Sequence, residues 1–150
     1  MTERVDFYVL KTAAPKQRWV FACRLTEKAY LKNLKVVLLS DTLNEAQALD
    51  ELLWTFNERS FVPHKVCADE QSMDPATPVH LTMDPAAIPA ADLLINLAQR
   101  LPAQFRGYTR IAEVIDADEE RRRLGRERFK AYRDLKLPLE THQIDETADA

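Results

Sequence analysis

Eight basic residues fall between positions 121 and 136 of this 150-residue chain: Arg121, Arg122, Arg123, Arg126, Arg128, Lys130, Arg133 and Lys136. Only Glu127 and Asp134 oppose them. The window therefore carries +6 in a chain whose formal net charge is −3, which leaves −9 for the remainder. On a helical wheel of about 100° per residue, Leu124, Ala131 and Leu135 share a narrow arc, with Arg128 and Tyr132 on its flank. That arc is the predicted core face. Opposite it, Arg122, Arg126, Phe129 and Arg133 gather within about 60°. An aromatic ring among three guanidinium groups suits a ligand that is both acidic and apolar. The arginines would pair with carboxylates, bidentate where geometry permits, and an apolar pocket beside them would take a ring. An acidic peptide with an aromatic end meets that description. Nucleic-acid backbone is the alternative ligand, and the acidic balance of the rest of the chain argues against it. The ordinary reading of such a run, a solvated helix face, stands beside both.

Two further places carry residues that folding alone does not require. Trp54 lies more than about 100° from the Ala46, Leu49, Leu53, Phe56 stripe of its predicted helix, so its indole is expected to be partly exposed. Phe61-Val62-Pro63-His64 is an apolar, proline-stiffened connection, either tucked into the core or offered to a partner chain. Catalytic signals are weak by comparison. His64, His80 and His142 show no metal-ligand spacing, and Ser40, Ser60 and Ser72 lack a nucleophile-elbow context. Cys23 sits on an apolar helix face and reads as core; with Cys67 it makes no metal or disulfide framework. Glycine occurs only twice, at Gly107 and Gly125, so the glycine-rich loops that cradle phosphate are absent. No run reaches the roughly 18 apolar residues of a membrane span, and the opening Met1-Thr2-Glu3-Arg4 does not resemble a signal peptide.

These side chains need a scaffold. Asp6–Leu10 reads as a strand, residues 15–33 as an amphipathic helix opened by Pro15, and Lys35–Ser40 as a strand buried on both faces. Thr42-Leu43-Asn44-Glu45 fits a capping box and opens a helix to about Trp54. This strand–helix–strand–helix start predicts a parallel α/β sheet. Short strands are expected at His64–Ala68, Val79–Thr82, Leu93–Leu97 and Thr109–Ile115, the last near an edge. Asp118 opens a final helix that ends before Pro138. Residues 1–137 form the predicted domain, and 138–150 read as an acidic, mobile tail.

Three segments resemble the chi subunit of bacterial DNA polymerase III. They are Val5-Asp6-Phe7-Tyr8-Val9-Leu10, then Ala48-Leu49-Asp50-Glu51-Leu52-Leu53-Trp54 with Ser60-Phe61-Val62-Pro63-His64, and Arg126-Glu127-Arg128-Phe129-Lys130-Ala131-Tyr132-Arg133. The resemblance implies a Rossmann-like α/β fold, a mixed, mostly parallel sheet flanked by helices, with no nucleotide and no other cofactor. It implies a non-catalytic, cytoplasmic replication accessory protein. Such a protein pairs with the psi subunit, which ties it to the clamp-loader complex, and binds the acidic C-terminal tail of single-stranded-DNA-binding protein. On that resemblance Arg122, Arg126, Phe129 and Arg133, with Trp54, carry the tail contact. Phe61, Val62, Pro63 and His64 carry the psi contact.

Overall fold

The computed structural model describes residues 2–88, 90–102 and 105–145. Seven strands form one sheet: β1 (Arg4–Leu10), β2 (Val36–Leu39), β3 (His64–Val66), β4 (Val79–Thr82), β5 (Ala91–Asn96), β6 (Tyr108–Ile115) and β7 (Leu139–Ile144). Three helices accompany them: α1 (Pro15–Leu31), α2 (Leu43–Thr55) and α3 (Glu119–Asp134). The strand order is β3-β4-β2-β5-β6-β1-β7. All six pairings are parallel, so the sheet is uniform where a mixed one was expected.

Local chemistry sets the helix boundaries. Pro15 occupies the first turn of α1, where its missing N–H costs nothing. Thr42 Oγ1 accepts from Glu45 N at 3.1 Å, the N-cap half of the expected capping box, and donates to the Glu45 carboxylate rather than leaving that carboxylate to the Thr42 N–H. Asp118 Oδ2 caps α3 by accepting from Arg121 N at 2.9 Å. At the far ends, Asn33 and Lys136 take the left-handed conformation that glycine usually supplies, both at φ 62°. Each is followed by the paired turn-closing bonds of a Schellman motif: Leu34 N to Ala29 O and Leu137 N to Tyr132 O. A chain this poor in glycine ends its helices without it.

Alternation along the strands divides the core. Leu10, Leu38, Ile95 and Val114 face α1 and α2, whereas Phe7, Leu39, Leu94 and Ile115 face α3. Cys23 is fully buried in the first of these layers, and burial pushes its thiol up to about 12. That agrees with a structural role.

Two expectations fail. Strand β6, expected near an edge, lies between β5 and β1. Residues 139–144, expected in a mobile tail, form β7 and pair with β1 from Val5↔Leu139 to Leu10↔Ile144. One face of β7 packs on the α3 layer through Leu139, and Ile144 packs on the other, so the segment buries more than its acidic composition suggests. Residues 146–150 of the expected tail lie outside the described residues.

Candidate functional site

Helix α3 is held down by a buried ionic network that a hydrophobic wheel does not see. Glu113 of β6 is fully buried and accepts three side-chain bonds: from Arg128 Nε at 3.1 Å, Tyr132 Oη at 2.9 Å and Asn96 Nδ2 at 2.9 Å. Burial, together with the neighbouring carboxylate, drives the Tyr132 hydroxyl far up. The helix side facing the sheet is therefore Gly125, Arg128 and Tyr132. Leu135, placed by the wheel on the core face, is 40% exposed. This rotation corrects the expectation for Phe129. Its ring does not face away from the core. It lies half-buried on the flank, edge-on to Phe7 with centroids 5.2 Å apart.

That flank is a groove of about 290 Å³ between α3 and the two last strands of the sheet. Phe7 and Val9 of β1, Ile115 of β6, and Thr141 and Gln143 of β7 meet Gly125 and Phe129 there. Arg122 and Arg126 line it as well. Gly125 allows the close approach, because a Cβ at that position would stand 2.4 Å from Ile115 Cδ1. A glycine inside a helix costs about 1 kcal/mol relative to alanine; that cost was the sequence signal for the groove floor. Phe7, Val9, Ile115, Thr141 and Gln143 gave no such signal, since three are ordinary strand residues and two lie in the misread segment.

The charges on α3 divide into spent and free. Arg121 forks onto Asp116 at 2.9 and 2.8 Å. Burial alone would raise the Asp116 carboxyl, but that fork outweighs it and holds the carboxyl below the usual range. Arg123 pairs with Glu120 and Glu127, and Arg128 with Glu113. Arg122 has no acidic partner among the described residues and donates to the carbonyl oxygens of Asp116 at 3.0 Å and Leu10 at 3.4 Å. Arg126, Lys130 and Arg133 are exposed, with no acidic partner among the described residues. So Arg122, Arg126 and Phe129 come together at the groove, and Arg133 stands in solvent outside its lining.

Trp54 does not join them. It lies 47% exposed at the end of α2, which packs on β3 and β4. Helix α3 packs on β6 and β7, on the other face of the sheet and toward its other edge. The wheel placed Trp54 correctly as exposed, and the structure sets it apart from the arginine cluster with which it was grouped. Its neighbours are Phe61, at 5.6 Å between ring centroids, and His64, at 4.2 Å. Within the connection Phe61-Val62-Pro63-His64 the roles also separate. Phe61 is 68% exposed, Val62 is core at 1%, and the His64 side chain is buried. The His64 ring bridges the Val62 carbonyl oxygen, 2.6 Å from Nδ1, and the Asp50 carbonyl oxygen, 2.9 Å from Nε2. Val62 and His64 thus fasten the loop to α2, leaving Phe61 and Trp54 as its exposed surface.

Neither place resembles a reaction centre. The adjacent strands whose onward connections diverge are β2 and β5, the usual ligand crevice of such sheets. Beyond their ends Asp41 accepts from Gln99 N at 3.1 and 3.2 Å and from Arg100 Nη1 at 3.1 Å. A carboxylate stands where a phosphate cradle would need N–H groups. Asp6, Glu140 and His142 bring possible metal donors within 4.8 Å of one another. The Asp6 carboxylate is already held by Arg4 at 3.2 Å and Arg110 at 2.9 Å, which disfavours a cation there. Among the described residues no helix is long and apolar enough to cross a membrane.

Comparisons with known proteins point to one family. Residues 1–140 match the family described as DNA polymerase III chi subunit, HolC. The chain is 34% identical over 141 residues to DNA polymerase III subunit chi of Pseudomonas aeruginosa, covering 94% of this chain and 96% of the relative. It is 28% identical over 145 residues to the subunit chi of Haemophilus influenzae, covering 96% and 99%. For the subunit chi of Escherichia coli the figures are 25% over 120 residues, covering 79% and 80%.

Proposed function

The chain belongs to the DNA polymerase III chi subunit family, a replication accessory subunit, and from that premise we propose that it is a non-catalytic bridge within the holoenzyme. It joins the clamp-loader complex, through psi, to the acidic C-terminal tail of single-stranded-DNA-binding protein, and it works in the cytoplasm at replication forks. The tail occupies the groove of Phe7, Gly125 and Phe129, with its aromatic end against the rings and its carboxylates on Arg122 and Arg126. Arg133 adds long-range attraction from outside the groove. Psi docks on Phe61 and Trp54, and Val62, Pro63 and His64 hold that platform in shape.

The observation that carries this reading is the pairing of an apolar slot with an exposed, acid-free guanidinium at Arg126. Calorimetry with a synthetic acidic tail peptide tests it. Arg126→Ala should cost about 1–3 kcal/mol of binding, the scale of a hydrogen bond to a charged group. Unchanged affinity would remove the groove from the account. Tight binding of single-stranded DNA in the absence of the partner protein, steeply weakened by salt, would favour the nucleic-acid alternative for the free cations of α3.

A further inference from the structure

A second groove, of about 950 Å³, lies on the opposite face of the sheet beside α1. Its floor is Tyr8, Ala112 and Ile144, from β1, β6 and β7, and its wall is Phe21 and Leu25 of α1. Parallel sheets are normally covered on both faces. Here α3 covers the β6 and β7 end of one face. On the other face α1 covers β2, β5 and β6, and α2 covers β3 and β4. Among the described residues, α1 reaches this face of β1 only at its margin, where Phe21 meets Tyr8 with ring centroids 5.4 Å apart, and no helix lies over the rest of the strip formed by β1 and β7. Two strands span roughly 10 Å, which is the spacing at which one helix packs beside another.

The rim states what chemistry would cover it. Arg24, Lys28 and Lys32 are exposed and stand one turn apart along α1. None of the three has an acidic partner among the described residues. Leu31, beside them, is 71% exposed. The acids of the groove are mostly engaged: Asp6 by Arg4, Arg110 and His142, and Asp92 by the Lys35 N–H at 2.7 Å. Glu27 is the acid left to oppose the basic row. We infer that this groove receives an amphipathic helix of another protein, with its apolar face on Tyr8, Phe21, Leu25 and Ile144 and a row of carboxylates, one per turn, against Arg24, Lys28 and Lys32. This is helix-in-groove recognition. It completes the helical layer over β1 and β7 on the face opposite the tail groove, so both sites can be filled at once.

A photo-crosslinking amino acid placed at position 31 of the full chain, irradiated in cells, tests the inference by sequencing the adduct peptide. The expected adduct comes from another protein and carries acidic residues at one-turn spacing beside an apolar stripe. Joint Arg24→Glu and Lys28→Glu substitution should lower its yield about tenfold or more, because like charges would then face each other across the interface. Arg126→Ala should leave the yield unchanged, which separates this site from the tail groove. An adduct within this chain, to a second copy, to nucleic acid or to a segment lacking that acidic pattern overturns the inference, and so does the absence of any adduct.

Discussion

Glu113 is the residue on which the α3 site depends, although it touches no ligand in this account. It is buried and neutralises Arg128 while accepting from Tyr132 and Asn96. Removing it would leave the Arg128 guanidinium, itself 4% exposed, without a counter-charge. Breaking a buried pair from one side costs about 3–5 kcal/mol, so Glu113→Ala should lower unfolding free energy in urea by that amount. A loss below about 1 kcal/mol would mean that Arg128 finds water. The same network explains what the sequence hid. A wheel centres the core face on Leu135 and leaves Arg128 on its flank, because hydrophobicity cannot register a charge that is buried with its partner. Phe129 was recognised as a site residue, but its orientation depended on that unseen pair. Trp54 shows the complementary limit. Its exposure was legible from periodicity, whereas its neighbours Phe61 and His64 are set by the return of the chain into β3.

At the scale of elements, β7 is the piece that turns a helix face into a groove. Its residues Thr141 and Gln143 form one wall, and its partner β1 supplies Phe7 and Val9. The two strands are also clamped on the other face: His142 Nε2 donates to Asp6 Oδ1 at 3.0 Å, and the His142 ring stacks on Tyr8 at 4.8 Å. Burial would raise the Asp6 carboxyl, but the bonds from His142 and Arg110 and the charges of Arg4 and Arg110 prevail and hold it below its ordinary value of 3.8. A carboxyl depressed on folding contributes stability that is complete above its unfolded value and is lost as pH falls through the folded one. Thermal melts should therefore decline below about pH 4, and Asp6→Asn should flatten part of that decline while lowering stability at neutral pH. An unaltered acid slope in the variant would show that the clamp is not electrostatic. The central strands β2 and β5 were legible as apolar runs, and Thr42, Asp118 and Pro15 announced the helix starts. β7 was not legible. An edge strand with one neighbour buries only alternate residues, and Pro138 and Glu140 gave it the composition of a tail.

For the whole molecule, the proposed function makes the sheet a spacer between two binding surfaces. The Phe61 and Trp54 platform sits by β3 at one edge, and the Arg126 and Phe129 groove sits by β7 at the other, on opposite faces. The two surfaces share no residue and lie at opposite edges and faces of the sheet, so occupation of one should not alter affinity at the other. Phe61→Ala should weaken psi pull-down and leave tail-peptide affinity intact. Tail binding itself should weaken with salt, as exposed arginine–carboxylate pairs are screened, but should not vanish, since the apolar contact with Phe7 and Phe129 is insensitive to it. The most direct measurement is sedimentation of the chain mixed with psi and with single-stranded-DNA-binding protein. One complex containing all three proteins is expected, from which Arg126→Ala releases only the single-stranded-DNA-binding protein and Phe61→Ala releases only psi. Displacement of one partner by the other, or loss of both partners through either substitution, would contradict it.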